Sequence, residues 1–222
     1  MKEKILLVKE RMARAAATSG RSFDDITLIG VSKTVGEAEI RQAALMGISD
    51  FGENRTRDLV LKQQAFPDLR WHMIGRLQTN KVKEIIGCCI LIHSLDRWNL
   101  AEEIEHRARA MNITVDALLQ VNIAGEEQKG GLPPNDVEAF LDAAGQLSSL
   151  RIKGMMTIAP EVDNQEKTRP IFRELYQMQQ KFRNRKWTNV DLKCLSMGMS
   201  QDFEVAIEEG ADLVRIGSAI FN

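Results

Sequence analysis

Eight short apolar runs, separated by helix-like segments, set the strongest limit on how this chain of 222 residues can fold. Most of the runs are continuous rather than alternating with polar residues, which is typical of strands buried on both faces of a parallel sheet. The segments between them carry apolar residues three or four positions apart, as amphipathic helices do. The predicted strands are residues 26–31, 48–51, 71–74, 90–92, 115–121, 152–156, 193–196 and 213–216.

This alternation favours an α/β fold consisting of one (β/α)8 barrel of the TIM type. An extra amphipathic helix over residues 1–18 precedes the first strand. A doubly wound open sheet is the alternative, because the same alternation is compatible with it. No Gly-x-Gly-x-x-Gly motif follows the first strand, which argues against a dinucleotide-binding version. No segment rich in Pro, Gly or Ser interrupts the pattern, so we expect a single domain over residues 1–222.

The overall charge and the cysteines exclude several function classes. A net charge of −1 provides no basic field for nucleic acid or an anionic membrane surface. No apolar stretch is long enough to span a bilayer and no signal-peptide pattern opens the chain, so we expect a cytoplasmic protein. Cys88, Cys89 and Cys194 lack the spacing of a disulfide framework or a zinc site, and we expect buried, unreactive thiols. His72 and His93 are not accompanied by a carboxylate cluster, so no metal site is predicted.

Lys33 is the first candidate for chemistry, because it comes just after the first predicted strand. A lysine is rarely found where a buried strand leaves a sheet, since an ammonium in apolar surroundings is costly. Burial in such a place makes a lysine amine a nucleophile toward carbonyl carbons. The alternative is a strand-end lysine whose ammonium reaches water. Taken alone, Lys33 favours that alternative.

Two loops near the C-terminus predict a phosphate site. The segment Ser196-Met-Gly-Met-Ser200 leads directly into a helical pattern, so a hydroxyl, a flexible glycine backbone and free helix N–H groups come together. Gly217 and Ser218 follow the next strand, in the other loop that barrels often use for phosphate. The alternative for each loop alone is an ordinary helix cap or a tight turn.

Arg215 lies near this predicted site, at the end of the eighth strand. Its guanidinium can donate a hydrogen bond to a ring nitrogen or pair with a carboxylate. The structural alternative is an ion pair with Glu53 or Asp212. A Schiff-base lysine, a phosphate site and such an arginine are the parts of a pyridoxal phosphate site. A class I aldolase acting on a sugar phosphate shares the first two, so the residues alone leave both open.

Eight segments that occur in order from the first strand to the C-terminus carry a more specific signal. They are Val31-Ser-Lys33-Thr34, Gly52-Glu-Asn-Arg55, Trp71-His-Met-Ile-Gly75-Arg-Leu-Gln78-Thr-Asn80-Lys81, His93-Ser-Leu-Asp96, residues 121–131, Gly154-Met-Met-Thr157, Leu195-Ser-Met-Gly-Met-Ser200-x-Asp202 and residues 214–221. Together these segments resemble the pyridoxal phosphate homeostasis protein family, whose barrel is similar to the N-terminal domain of alanine racemase.

The resemblance implies pyridoxal 5′-phosphate held on Lys33 as an internal aldimine. By position, Ser200, Gly217 and Ser218 are expected to hold the phosphate, and Arg215 to lie near the pyridine nitrogen. The resemblance also implies a set of residues around the ring, namely Asn54, His72, Met155 and Met199.

The function implied by the resemblance is buffering and delivery of the cofactor, with apo forms of enzymes that use it as candidate recipients and no catalytic residues. Racemisation needs a base on each face of the cofactor. The only tyrosine, Tyr176, lies in a helical pattern, where we expect it to pack or hydrogen-bond at the surface. A weak racemase-like enzyme and a cofactor-free Schiff-base aldolase remain as alternatives. We expect a monomer, with a weak dimer as the alternative.

Overall fold

The structure is a computed structural model that describes residues 1–222 except for the side chain of Glu127. Its strands are β1 (Thr27–Val31), β2 (Asp50–Glu53), β3 (Arg70–Met73), β4 (Leu91–Leu95), β5 (Val115–Gln120), β6 (Leu150–Met156), β7 (Val190–Met199) and β8 (Leu213–Ile216). Each strand pairs in parallel with its neighbour in the chain, and β8 pairs with β1 to close the barrel. The predicted (β/α)8 barrel is therefore confirmed.

Helices cover the outside of the barrel. They are α1 (Lys2–Thr18), α2 (Glu37–Leu45), α3 (Thr56–Ala65), α4 (Val82–Ile85), α5 (Trp98–Ala110), α6 (Val137–Ala144), α7 (Arg169–Arg183), α8 (Phe203–Glu208) and α9 (Ser218–Phe221). The first of them confirms the predicted N-terminal helix. It buries Ile5, Val8 and Met12, which share one face, and it packs against α8 and α9. Short 3-10 turns precede several of the others.

Every strand except β8 differs from its predicted bounds by one to three residues at one or both ends, among them β2 and β7. β2 begins at Asp50 rather than at residue 48, so Gly52 and Glu53 lie within the strand and not in the loop after it. β7 continues to Met199, three residues beyond its predicted end. Both strands carry polar or glycine residues where the chain faces the barrel interior or the mouth. An apolar run marks only the part of a strand that packs in a hydrophobic core, which explains why both strands continue beyond their predicted ends.

Alternate residues of the strands divide the core into two layers. Helices and strands share an outer core, which includes Phe51, Trp71 and Leu195. A separate inner cluster contains buried side chains from strands only: Ile29, Leu118, Met156 and Leu213. Because successive side chains of a strand point to opposite faces, this cluster fills the inside of the closed barrel. The polar loops that follow the strands therefore surround one mouth, at the C-terminal ends.

Candidate functional site

Lys33 lies two residues beyond the end of β1, at the C-terminal mouth, and its side chain is exposed. The apolar burial that the sequence suggested for this lysine is not seen. A strand-end lysine in a turn reaches solvent because only the residue before it, Ser32, enters the core. The amine is therefore open to a ligand at the mouth.

A buried ion pair holds the residue next to Lys33. Ser32 Oγ donates to Glu53 Oε1 at 2.6 Å, and Lys62 Nζ on α3 donates to the same oxygen at 2.6 Å. Lys62 Nζ also donates to the carbonyl oxygen of Ser32 at 2.7 Å. Glu53 is fully buried, and its Oε2 has no hydrogen-bond partner among the atoms that the structure describes. Side-chain and main-chain contacts thus fix the start of the turn that carries Lys33.

The two predicted phosphate loops meet in the structure. Ser200 Oγ accepts hydrogen bonds from the backbone N–H groups of Gly217 and Ala219, both at 3.2 Å. Ser218 is exposed beside them, at the first residue of α9. A Cβ on Gly217 would lie 3.3 Å from the Cβ and the carbonyl oxygen of Val31, so this loop packs tightly on the end of β1. The sequence predicted that these loops lie at neighbouring strand ends, and the structure joins them.

A second glycine lets β7 approach α8 at the end of the strand. Gly198 has a φ of +91°, and a Cβ there would lie 2.6 Å from the Cβ of Ala206. The next residue, Met199, is exposed, and its N–H donates to Asp202 Oδ1 at 2.6 Å. Burial raises the pKa of Asp202. Met199 therefore lies at the rim of the mouth, held by a buried carboxyl group.

Arg215 is buried inside the barrel rather than paired at its surface. Its Nη1 donates to Ser196 Oγ at 2.5 Å and its Nη2 to the carbonyl oxygen of Thr157 at 2.9 Å. The alternative partners suggested by the sequence, Glu53 and Asp212, are paired with other cations. Burial lowers the pKa of Arg215 to about 10, so the guanidinium is cationic at neutral pH.

The residues predicted around the ring occupy different environments. Asn54 is exposed at the mouth, and its backbone is so close to Gly75 that a Cβ on the glycine would lie 2.3 Å from the Asn54 carbonyl oxygen. His72 is buried inside the barrel. Met155 is fully buried in the outer core, whereas its neighbour Met156 belongs to the inner cluster. Because side chains alternate along β6, Met155 faces the outer core and is not part of the proposed site.

Sequence reasoning missed several polar residues that the fold brings to this region. Lys62 stands in an ordinary amphipathic helix with no motif around it, and nothing local marks it as a partner of Glu53. Asp50 lies within the predicted strand 48–51, but nothing in the sequence gives its side chain a role inside the barrel. Ser196 is the first residue of the predicted phosphate loop that contains Ser200, but the sequence gives it no role of its own. The closed topology alone brings it to Arg215.

The cysteines and other possible metal ligands provide no second site. Cys88, Cys89 and Cys194 are free, but each is half-buried rather than buried as expected. Burial raises the pKa of Cys89 and of Cys194 to about 12. Within the described part of the chain, no group of three or more His, Cys, Asp or Glu residues could hold a metal ion. None of the helices described here has the length and apolar character needed to cross a membrane.

A closed parallel barrel with an exposed lysine after β1 and hydroxyl and N–H groups after β7 and β8 defines a class of protein. The family described as "Alanine racemase, N-terminal domain" matches residues 9–222. A relative from Aquifex aeolicus named pyridoxal phosphate homeostasis protein is 46% identical over 99% of this chain and 96% of its own length. One from Pseudomonas aeruginosa with the same name is 37% identical over 99% of this chain and 94% of its own.

Among solved structures, PipY of Synechococcus elongatus with pyridoxal phosphate bound is similar, with a TM-score of 0.81 and 33% identity over 95% of this chain and 100% of that one. The chain belongs to the pyridoxal phosphate homeostasis protein family, within the class built on the alanine racemase N-terminal domain. The resemblance suggested by the sequence is confirmed.

The residues present fit pyridoxal phosphate. The cofactor carries a phosphate, a pyridine ring and an aldehyde. The loops joined by Ser200 provide backbone N–H groups and hydroxyls of the kind that bind phosphate, and Gly217 leaves room where a Cβ would press on β1. Arg215 provides a cation with N–H donors inside the barrel. Lys33 provides an accessible amine just after β1, the strand that pairs with β8.

Proposed function

We propose that this protein binds pyridoxal 5′-phosphate reversibly on Lys33 and buffers or delivers it, without efficient catalysis of its own. The observation that carries the proposal is the pairing of β1 with β8. Through this pairing the Gly217 loop packs against Val31, two residues before Lys33. A phosphate held at Ser200, Gly217 and Ser218 would then lie at the end of β8, beside the strand that precedes the amine of Lys33. The names of the relatives and the bound cofactor in PipY support the same proposal.

Each group in the site has a separate task. The aldehyde supplies a carbon with which an amine forms a reversible C=N bond, with release of one water. The exposed Lys33 provides that amine, while Ser32, Glu53 and Lys62 fix the start of its turn. The N–H groups around Ser200 hold the phosphate. Arg215, committed by two hydrogen bonds inside the barrel, offers its remaining N–H groups to the ring.

The position of Tyr176 supports a carrier rather than a racemase. The tyrosine ring lies beside Gly210, where a Cβ would be 2.8 Å from its Cδ2. Gly210 precedes β8 and therefore lies at the N-terminal end of the barrel, away from the mouth. Tyr176 is the only tyrosine in the chain. It is therefore poorly placed to act as a second base opposite Lys33.

Absorbance of the purified protein with added pyridoxal phosphate tests the proposal. We expect a visible band in the wild type and its loss in Lys33→Ala. Lys181→Ala is the matched control, because Lys181 is an exposed lysine on the outer helix α7, and it should keep the band. No band in the wild type would contradict cofactor binding and would favour the cofactor-free aldolase. A band that persists in Lys33→Ala would contradict the role of this lysine.

Two further measurements separate carrier from enzyme. Exchange of the α-proton of amino acids in heavy water should be far below ordinary enzymatic rates; turnover at such rates would contradict the carrier. Transfer to an apo-enzyme that uses the cofactor, with and without a trap for free pyridoxal phosphate, tests delivery. Transfer that survives the trap supports direct delivery, whereas transfer abolished by it leaves buffering alone.

A further inference from the structure

A continuous chain of hydrogen bonds crosses the inside of the barrel. Asp50 Oδ1 lies 3.0 Å from His72 Nε2, and His72 Nδ1 lies 3.0 Å from His93 Nε2. His93 Nδ1 lies 2.9 Å from Ser196 Oγ, which accepts from Arg215 Nη1 at 2.5 Å. All five side chains are buried, and they come from β2, β3, β4, β7 and β8. This chain links residues that are far apart along the sheet.

When both histidine rings are neutral, the two ends of the chain fix the direction of every hydrogen between them. A guanidinium can only donate and an ionised carboxylate can only accept. Burial above all holds the pKa of His93 well below its usual value, so His93 is neutral. Because Ser196 Oγ accepts from Arg215, its own hydrogen is free to donate to His93 Nδ1.

The remaining hydrogens follow from this. A neutral His93 that accepts at Nδ1 carries its proton on Nε2 and donates to His72 Nδ1. His72 then carries its proton on Nε2 and donates to Asp50. The reverse direction would place an unprotonated His72 Nε2 against the carboxylate, unless His72 were doubly protonated. With both rings neutral, only one arrangement satisfies every group.

A further charged group, Arg70, contacts the Asp50 end of the chain. Arg70 Nε donates to Asp50 Oδ1 at 2.9 Å, and the side chain of Arg70 is more than half exposed at the N-terminal end of β3. Burial acts to raise the pKa of Asp50, but hydrogen bonds from His72 and Arg70 outweigh it and the pKa is lowered. Asp50 is therefore an ionised acceptor. The chain connects the N-terminal face of the barrel to the arginine of the proposed site.

We propose that Asp50, His72, His93 and Ser196 are positioning residues that hold Arg215 for the ligand through one directed chain of hydrogen bonds. The part that concerns the ligand rests on the proposed function, whereas the direction of the chain does not. None of the four need touch the ligand. They commit Nη1 of Arg215 to the barrel interior and so restrict how the guanidinium can turn. A change at Asp50 then affects Arg215 through three intervening side chains.

The ligand-free protein tests the direction of the chain. The protein has only three histidines, and the third, His106, is exposed and gives a solvent reference. In long-range ¹H–¹⁵N spectra at pH 7, we expect His72 and His93 both as neutral rings protonated on Nε2. A ring protonated on Nδ1, or a doubly protonated His72, would overturn the proposal. In Asp50→Asn, His72 should lose its single tautomer. Asp116→Asn is the matched control, because Asp116 is a strand carboxylate paired with the half-exposed Arg151 and takes no part in the chain.

Pyridoxal phosphate binding tests the link to the ligand. Ser196→Ala breaks the chain next to Arg215, and we expect affinity to fall about tenfold, as for the loss of one positioned hydrogen bond, with a shifted absorbance band. Asp50→Asn should shift the band in the same direction, and Asp116→Asn should leave it unchanged. Wild-type affinity and spectrum in both chain variants would overturn this inference and leave the proposed function intact. If the wild type bound no cofactor, the proposed function would fail, while the tautomers would still decide the direction of the chain.

Discussion

Replacing Lys62 by methionine removes the cation from the buried ion pair beneath Lys33 and keeps most of the side-chain volume. Glu53 is fully buried, and its Oε1 accepts from Lys62 and Ser32 while Oε2 has no partner among the described atoms. After the change, the carboxylate would keep a single hydrogen bond and no counter-charge. Removing one partner of a buried pair costs about 3–5 kcal/mol of unfolding free energy.

Urea denaturation measures this loss. With an m-value of about 3 kcal/mol per molar, the midpoint should fall by about 1–1.7 M. The matched control is Lys181→Met, which breaks an exposed pair with Glu138 and should leave the midpoint within experimental error.

A double-mutant cycle tests the cause. Glu53→Gln should destabilise the wild type, because Lys62 is left without its carboxylate. The same substitution should stabilise Lys62→Met, because it removes the unpaired charge. A Lys62→Met midpoint shift no larger than that of Lys181→Met would refute the reasoning. So would a Glu53→Gln substitution that destabilises both backgrounds.

Three other outcomes follow from contacts described by the structure. Gly198→Ala, at a φ of +91° and with a Cβ only 2.6 Å from that of Ala206, should lower the unfolding free energy by about 1–3 kcal/mol, measured in urea. Glu105 accepts from three backbone N–H groups at the start of β6, and although burial acts to raise its pKa, those bonds lower it. The stabilising effect of ionised Glu105 is therefore present above its ordinary pKa of 4.5 and is lost as pH falls below that value. The difference in unfolding free energy between wild type and Glu105→Gln should narrow in acid. A difference that stays constant with pH would contradict this. Cys89 and Cys194, each with a pKa raised to about 12 by burial, should react with a thiol reagent at pH 7 far more slowly in the native than in the urea-unfolded protein, and equal rates would contradict their shielding.

The sequence predicted the barrel well because strand and helix periodicities are local. Strands packed in a hydrophobic core appear as apolar runs, and the joined loops at Ser200 and Gly217 follow from their places after consecutive strands. The position of Lys33 after β1 was also predictable, but its exposure was not, since exposure depends on how a turn packs. The chain from Asp50 through His93 to Arg215 was missed altogether. Its hydrogen-bonded neighbours are about 20 to 100 residues apart in sequence, and only closure of the barrel brings them together.

The hydrogen bonds that join the two phosphate loops also influence how readily the site releases a bound anion. The N–H groups of Gly217 and Ala219 already have a resident acceptor in the hydroxyl of Ser200. An anion that enters competes with a neutral oxygen of the protein for the same two donors. When it leaves, the hydroxyl takes them back, and neither donor bears the cost of about 1–3 kcal/mol that an unpaired buried N–H would carry. The two N–H groups therefore keep a hydrogen-bond acceptor after the anion leaves, which suits a site that must release its ligand.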